Sequence, residues 1–147
     1  MMKQLIRLGL MLVAVLAMIS CTPSTPGAAL KHYMSALSDK DYEEFVEGVK
    51  LSETDAAKAQ EARDGLVAMI KEKGAKTLDE KGGLKEIEIV SEEIAEDGNS
   101  AVVTFKQHYG DGSVKEDTQK MAKVDGKWLM DIGNILNNLK NIHLNIL

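Results

Sequence analysis

The sequence is short of the residues that most often announce a function. It has one cysteine, three histidines, one tryptophan, three tyrosines and two phenylalanines in 147 residues. A single thiol cannot close an internal disulfide, so no disulfide framework holds the chain together. His32, His108 and His143 are scattered, without the local pairing that marks a metal site, so neither a metal nor any other cofactor is expected. Six rings are too few for a stacking platform on sugars. Basic side chains are outnumbered 18 to 23 by acidic ones, which disfavours nucleic acid as a partner because phosphates would be repelled. Lys81-Gly82-Gly83 lacks the Gly-x-x-x-x-Gly-Lys spacing of a phosphate loop and reads as a flexible link from helix to sheet.

What is present begins at the N-terminus. Lys3 and Arg7 precede an apolar run from Leu8 to Ala17, and small Ser20 follows, the three parts of a secretory signal. The run is shorter than the roughly 20 apolar residues a membrane-spanning helix needs. Residues 1–20 therefore read as a signal peptide that is removed, taking both basic residues and leaving 16 against 23, a net charge near −7. The lone cysteine stands at the end of this leader. Met18-Ile19-Ser20-Cys21 resembles the lipobox of bacterial lipoproteins, with Met18 in place of the more usual Leu. The resemblance implies that Cys21 is the lipidation site, cut at its N-side and acylated, palmitate included. A second acyl chain turns marginal membrane binding into stable anchoring, at about 0.8 kcal/mol per buried methylene. Residues 21–26 are the lipidated cysteine and its tether, in which two prolines and no apolar side chain favour an extended spacer. The expected place is the bacterial envelope, and Thr22 after the cysteine favours the outer over the inner membrane.

Residues 27–133 read as one α+β domain. Thr25 can cap a helix with Pro26 in its first turn, and Ala29, Leu30, Tyr33, Met34 and Leu37 make its apolar stripe. Asp39 or Asp41 can cap a short second helix carrying Tyr42, Phe45, Val46 and Val49. Ser52 with Asp55 resembles a capping box opening a third helix, with Ala56, Ala59, Arg63, Leu66, Val67 and Ile70 on its face and Gly74 as its stop. Four β-type runs follow: LKEIEIVSEEI, SAVVTFKQHY, SVKEDTQKMAKV and KWLMDI. Asp97-Gly98, Asp111-Gly112 and Asp125-Gly126 separate them at equal intervals of fourteen residues, which suits a four-stranded antiparallel meander joined by tight turns. In the second run Ala101, Val103, Phe105, Gln107 and Tyr109 form the better core face, opposite Val102, Thr104, Lys106 and His108. Lys120 to Lys123 in the third run suit neither face well.

The Pro-led first helix with Tyr33, the Ser38-Asp39-x-Asp41-Tyr42 break, and Asp125-Gly126-Lys127-Trp128 before the last strand resemble a known group. These are small bacterial lipoproteins of a domain-of-unknown-function family in the nuclear-transport-factor-2-like (SnoaL-like, cystatin-like) superfamily. The resemblance covers residues 26–132 and implies a curved sheet wrapped on helices with a conical pocket between them. Tyr33, Gln107, Tyr109, Trp128 and Met130 are the candidate lining of such a pocket; the plainer alternative makes all five core or rim.

No candidate catalytic residue stands out. The pairs Glu43/Glu44, Glu86/Glu88 and Glu92/Glu93 read as solvated faces, and Asp39 and Asp41 as caps. SnoaL-like enzymes pair an Asp with a His inside the cone, and His108 falls on the outward face here. The expected function is a membrane-anchored, non-catalytic binding or accessory module for an unknown small ligand or protein. The rivals are a SnoaL-like small-molecule enzyme, which requires a cavity with an inward carboxylate or imidazole, and a structural envelope protein working through protein contacts. Residues 134–147 carry Ile135, Leu136, Leu139, Ile142 and Ile146 at helical spacing with asparagines between. This tail is expected to be an amphipathic helix, packed on the domain or serving self-association.

Overall fold

The structure, a computed structural model, describes residues 23–52 and 55–133; the leader, Cys21 and the tail from 134 to 147 lie outside them. Four helical segments precede four strands: α1 (Pro26–Ser38), α2 (Tyr42–Glu47), α3 (Ala56–Met69), α4 (Ala75–Glu80), β1 (Leu84–Ile94), β2 (Ser100–Tyr109), β3 (Val114–Val124) and β4 (Lys127–Met130). The sheet is antiparallel in the order β1-β2-β3-β4. The α+β class, the meander and the helix-then-strand order are those expected from the sequence.

The helix starts follow capping chemistry. Thr25 Oγ1 accepts the Ala28 N–H at 3.2 Å with Pro26 next in line, and Asp41 Oδ1 accepts the Glu44 N–H at 3.2 Å. The third helix departs from expectation at both ends. Its cap is Asp55, whose carboxylate accepts the Ala57 and Lys58 N–H groups at 2.9 and 3.1 Å, rather than Ser52 three positions earlier. Nor does Gly74 stop it. A π-helical turn over Ile70–Gly74 carries the chain straight from α3 into α4, and Gly74 keeps right-handed helical angles. The reason lies in the apolar stripe. Leu66 and Leu78 both pack against the core. Twelve positions apart, they would be about 120° out of line on a regular α-helix. The π turn takes up one extra residue and reduces the offset to about 20°.

The three Asp-Gly pairs all make turns. Gly98, Gly112 and Gly126 have φ of +71°, +86° and +79°, the left-handed region glycine enters without steric cost. On β2 the expected face is the buried one: Val103 is 0% exposed, and Ala101, Phe105 and Tyr109 lie beside it in the core. Met121 resolves the ambiguous stretch of β3. It faces inward opposite Met130, while Lys123, on the same face, is exposed with its ammonium 5.6 Å from the Trp128 ring centre. Register breaks at Leu84/Glu86 and Ile89/Ser91 interrupt the β1 alternation that the sequence suggests. The second break brings Glu92 opposite Val103, on the core face, where its carboxylate accepts the Gly27 N–H at 2.7 Å.

α1 supplies the other half of the core through Ala29, Leu30, Tyr33 and Met34. The Tyr33 hydroxyl donates to the Trp128 carbonyl at 2.9 Å. Gly48 makes room for that ring: a Cβ there would lie 2.3 Å from Tyr33 Cγ, although its φ of −79° suits any residue. Gly48→Ala is therefore expected to destabilise by about 1–3 kcal/mol through overpacking alone. Gly65→Ala, in α3 with nothing within 4 Å of the new Cβ, should instead stabilise by about 0.5–1 kcal/mol. Thermal melts of the two variants check both signs.

Burial, and then the nearby carboxylates of Glu44 and Glu47, raise the Tyr33 pKa above its ordinary value of 10.0. A raised phenol contributes stability in full below about pH 10 and loses it as pH rises through the folded value. Tyr33→Phe should cost about 1 kcal/mol at neutral pH and flatten the stability loss above pH 10. Urea titrations of both proteins at pH 7 and in alkali measure this.

Candidate functional site

The structure divides the five candidate lining residues into two groups. Tyr33, Trp128 and Met130 meet around the Tyr33–Trp128 hydrogen bond, 7%, 3% and 2% exposed. Tyr109 and Gln107 stand nearer the other end of the sheet, the Tyr109 hydroxyl donating to Gln107 Oε1 at 3.2 Å. Tyr109 carries the Lys81 ammonium 4.5 Å from its ring centre. Four of the five belong to one continuous hydrophobic cluster with Leu30, Val103, Phe105 and Met121; Gln107 is half-buried. The interior of the cone is packed hydrocarbon at these positions.

The two described histidines, His32 and His108, reach solvent. His32 Nε2 lies 2.9 Å from Glu44 Oε1, and His108 Nε2 lies 2.9 Å from Glu88 Oε2 on the outer face of the sheet. That hydrogen bond, supported by Lys106, holds the Glu88 carboxyl below its usual range. His143 lies outside the described residues. Among the described residues no three His, Cys, Asp or Glu side chains gather to hold a metal ion. No helix among them is long and apolar enough to cross a membrane.

Concavity lies instead on the surface, between α2 and α3. A cleft of about 450 Å³ opens there, lined by Glu43, Val46 and Glu47 from α2, by Gln60, Arg63, Asp64, Val67 and Ala68 from α3, and by Lys71. Its lining combines aliphatic Val46, Val67 and Ala68, in turn buried, half-buried and exposed, with three carboxylates, Glu43, Glu47 and Asp64. Arg63 is turned into the structure: its Nη1 donates to the Val46 carbonyl at 2.9 Å and ties the two helices together. Lys71 stands on the π turn. Such turns often mark functional positions in helices.

Read as separate pieces, these residues looked like a solvated acidic pair and a helix face. The signal that could have joined them is spacing. Glu43, Val46 and Glu47 fall at i, i+3, i+4, and Gln60, Arg63, Asp64, Val67, Ala68 and Lys71 at i, i+3, i+4, i+7, i+8, i+11. Each set is one stripe of its helix. A second hollow of about 490 Å³ sits where Asp131 leaves the sheet, and includes Ile94 and Val102, which are 52% and 37% exposed.

A family model described as a domain of unknown function, DUF4878, matches residues 19–131. The chain belongs to this family. Among solved structures, the DUF4878 chain is similar to a Campylobacter jejuni protein with the provisional name NTF2-like transpeptidase. That crystal structure aligns with a TM-score of 0.61 at 23% identity, over 74% of this chain and 99% of that one. A SEC-C motif containing protein from Rhodopseudomonas palustris aligns with a TM-score of 0.47 at 18% identity, over 75% of this chain and 77% of that one. No curated protein matches the chain. The Campylobacter likeness shows the NTF2-like fold that the sequence markers implied, and it shows the fold alone.

In the DUF4878 domain the Arg63–Val46 bond joins α2 to α3 beside the cleft. Arg63→Ala removes that charge-assisted contact, at an expected cost of about 1–2 kcal/mol. Arg63→Lys should recover only part of it, because a single ammonium cannot reproduce the planar fork. Denaturation midpoints of the two variants, compared with the parent, give the order.

Proposed function

We propose that this DUF4878 chain is a bacterial envelope lipoprotein, acylated on Cys21, whose domain is a non-catalytic binding or accessory module. Its working surface is the cleft between α2 and α3. The single observation that carries the reading is the packed interior: where SnoaL-like enzymes need a hollow cone with an inward acid or imidazole, this cone is filled by Tyr33, Val103, Phe105, Tyr109, Trp128 and Met130. A pocket filled with side chains has no room for a small substrate. A partner must then be met on the outside.

The cleft suits binding better than acyl or proton transfer. Glu43, Glu47 and Asp64 are among its lining residues, and no Ser, Cys or His among the described residues lines it. The Campylobacter neighbour's provisional name is that of a transpeptidase. An acyl transfer here would require a nucleophile, and none is among the described lining residues. The chain's one cysteine is Cys21, which acylation would block.

The anchor explains the arrangement of the N-terminus. Four residues separate the acylation site from Pro26, five Cα–Cα steps or about 18 Å if fully extended, so the start of α1 would be held close to the bilayer. The test is mass spectrometry of the protein extracted from membranes. The expected N-terminal peptide begins at Cys21 and carries the acyl chains, and Cys21→Ser leaves the protein out of the membrane fraction as a lipoprotein. An unmodified Cys21, or a retained leader, overturns the anchoring.

A further inference from the structure

The chain contains a segment whose chemistry fits the α2–α3 cleft. Residues 134–147 include Lys140 and His143 and not one Asp or Glu side chain, in a sequence that is otherwise acid-rich. Between the polar positions run Ile135, Leu136, Leu139, Ile142 and Ile146 at helical spacing. The cleft offers half-buried Val67 and exposed Ala68 beside the buried Val46, among three carboxylates, Glu43, Glu47 and Asp64, and two cations, Lys71 and Arg63, the latter turned onto the Val46 carbonyl. From these two observations we infer that residues 134–147 dock, apolar stripe inward, into the cleft of their own chain.

The position of the departing chain supports a cis contact. Val49 bridges Met130 in parallel, the Lys50 N–H donates to the Met130 carbonyl at 2.8 Å, and the Lys50 ammonium lies 3.9 Å from the Asp131 carboxylate. The chain thus leaves the sheet beside the segment that emerges from α2. Val46, in the cleft lining, is only four residues back along that segment. Ile132 already packs on the core, so the chain starts this course on the domain's surface. Fourteen residues reach about 21 Å as a helix, enough to cover two turns of α3 from there.

Docking in cis would be favoured over capture of a second copy by proximity, since a short connection keeps the local concentration of the segment high.

Disulfide trapping tests it without membrane or partner. The protein is the chain from residue 21 onward with Cys21→Ser, which keeps every described element and has no native thiol. Ala68→Cys, on an exposed cleft position, is combined in turn with Ile135→Cys, Leu136→Cys, Leu139→Cys and Ile142→Cys. A second series replaces Ala68→Cys with Ser100→Cys at the rival hollow beside Asp131. Mild oxidation should give monomeric, intrachain disulfides with Ala68→Cys at one or more of the four positions, at least tenfold faster than with Ser100→Cys. Raised salt should slow the trapping, because the carboxylates and Lys140 are screened. Products that are only dimeric, equal rates in the two series, or faster trapping at Ser100→Cys each overturn the cis assignment to this cleft. None of these outcomes bears on Cys21 acylation, so the two readings fail separately.

Discussion

The carboxylate of Glu92 takes the Gly27 N–H at the start of α1, and Ser38 Oγ donates to the Leu84 carbonyl at its end. With both ends of the helix fastened to β1, Leu30, Tyr33 and Met34 have one place to go, the inner face of the sheet. The first bond also has an electrostatic component. α1 has no acidic residue in its own first turn, so the sheet supplies the negative charge that the helix dipole favours there. Gly27 is part of the same arrangement: a Cβ at this position would sit 2.0 Å from Glu92 Oε1. The clamp settles where residue 25 leaves the domain, and with it the side from which any N-terminal anchor must pull.

The long helix is held by different means. Residues 56 to 80 include no fully buried side chain; α3 meets the rest of the domain through α2, the Arg63–Val46 bond and Leu66. At its far end, Lys81 and Gly83 offer carbonyls to Asp111 and Gly110, and Gly110 approaches so closely that a Cβ on it would overlap the Gly82 carbonyl. A helix pinned at its ends and lightly packed between them leaves a gap beside α2. The cleft follows from that geometry. Of its three carboxylates, Glu43 and Glu47 stand on α2 and Asp64 on α3.

Much of the fold was legible because local chemistry and global packing agree. The Asp-Gly pairs demand left-handed glycines, and their equal spacing demands strands of matched length, so the meander could be drawn before any coordinates. Thr25-Pro26 and Asp41 announced two helix starts for the same reason. What misled was punctuation taken alone. Gly74 reads as a stop in sequence, yet the competing need to bring Leu66 and Leu78 onto one side of the helix bends the local rule into a π turn. The bulges in β1 are equally silent, since nothing in LKEIEIVSEEI announces where two residues will face one. The cleft was illegible for a further reason. Its two stripes lie on helices that meet only in the fold, and mixed charged and apolar positions on either one look like an ordinary wet surface.

In this domain the aromatic side chains occupy the space that a cavity between α1 and the sheet would need. Its apolar complement includes one tryptophan and two phenylalanines, and the largest rings, Trp128, Tyr33, Tyr109 and Phe105, are all committed to the space between α1 and the sheet. Hollowing the cone would mean exposing several of them, each worth roughly 1.5–3 kcal/mol of burial, against a total stability of about 5–15 kcal/mol for such domains. The chain therefore has an NTF2-like fold with a filled interior, and the concavity between α2 and α3 lies outside that core.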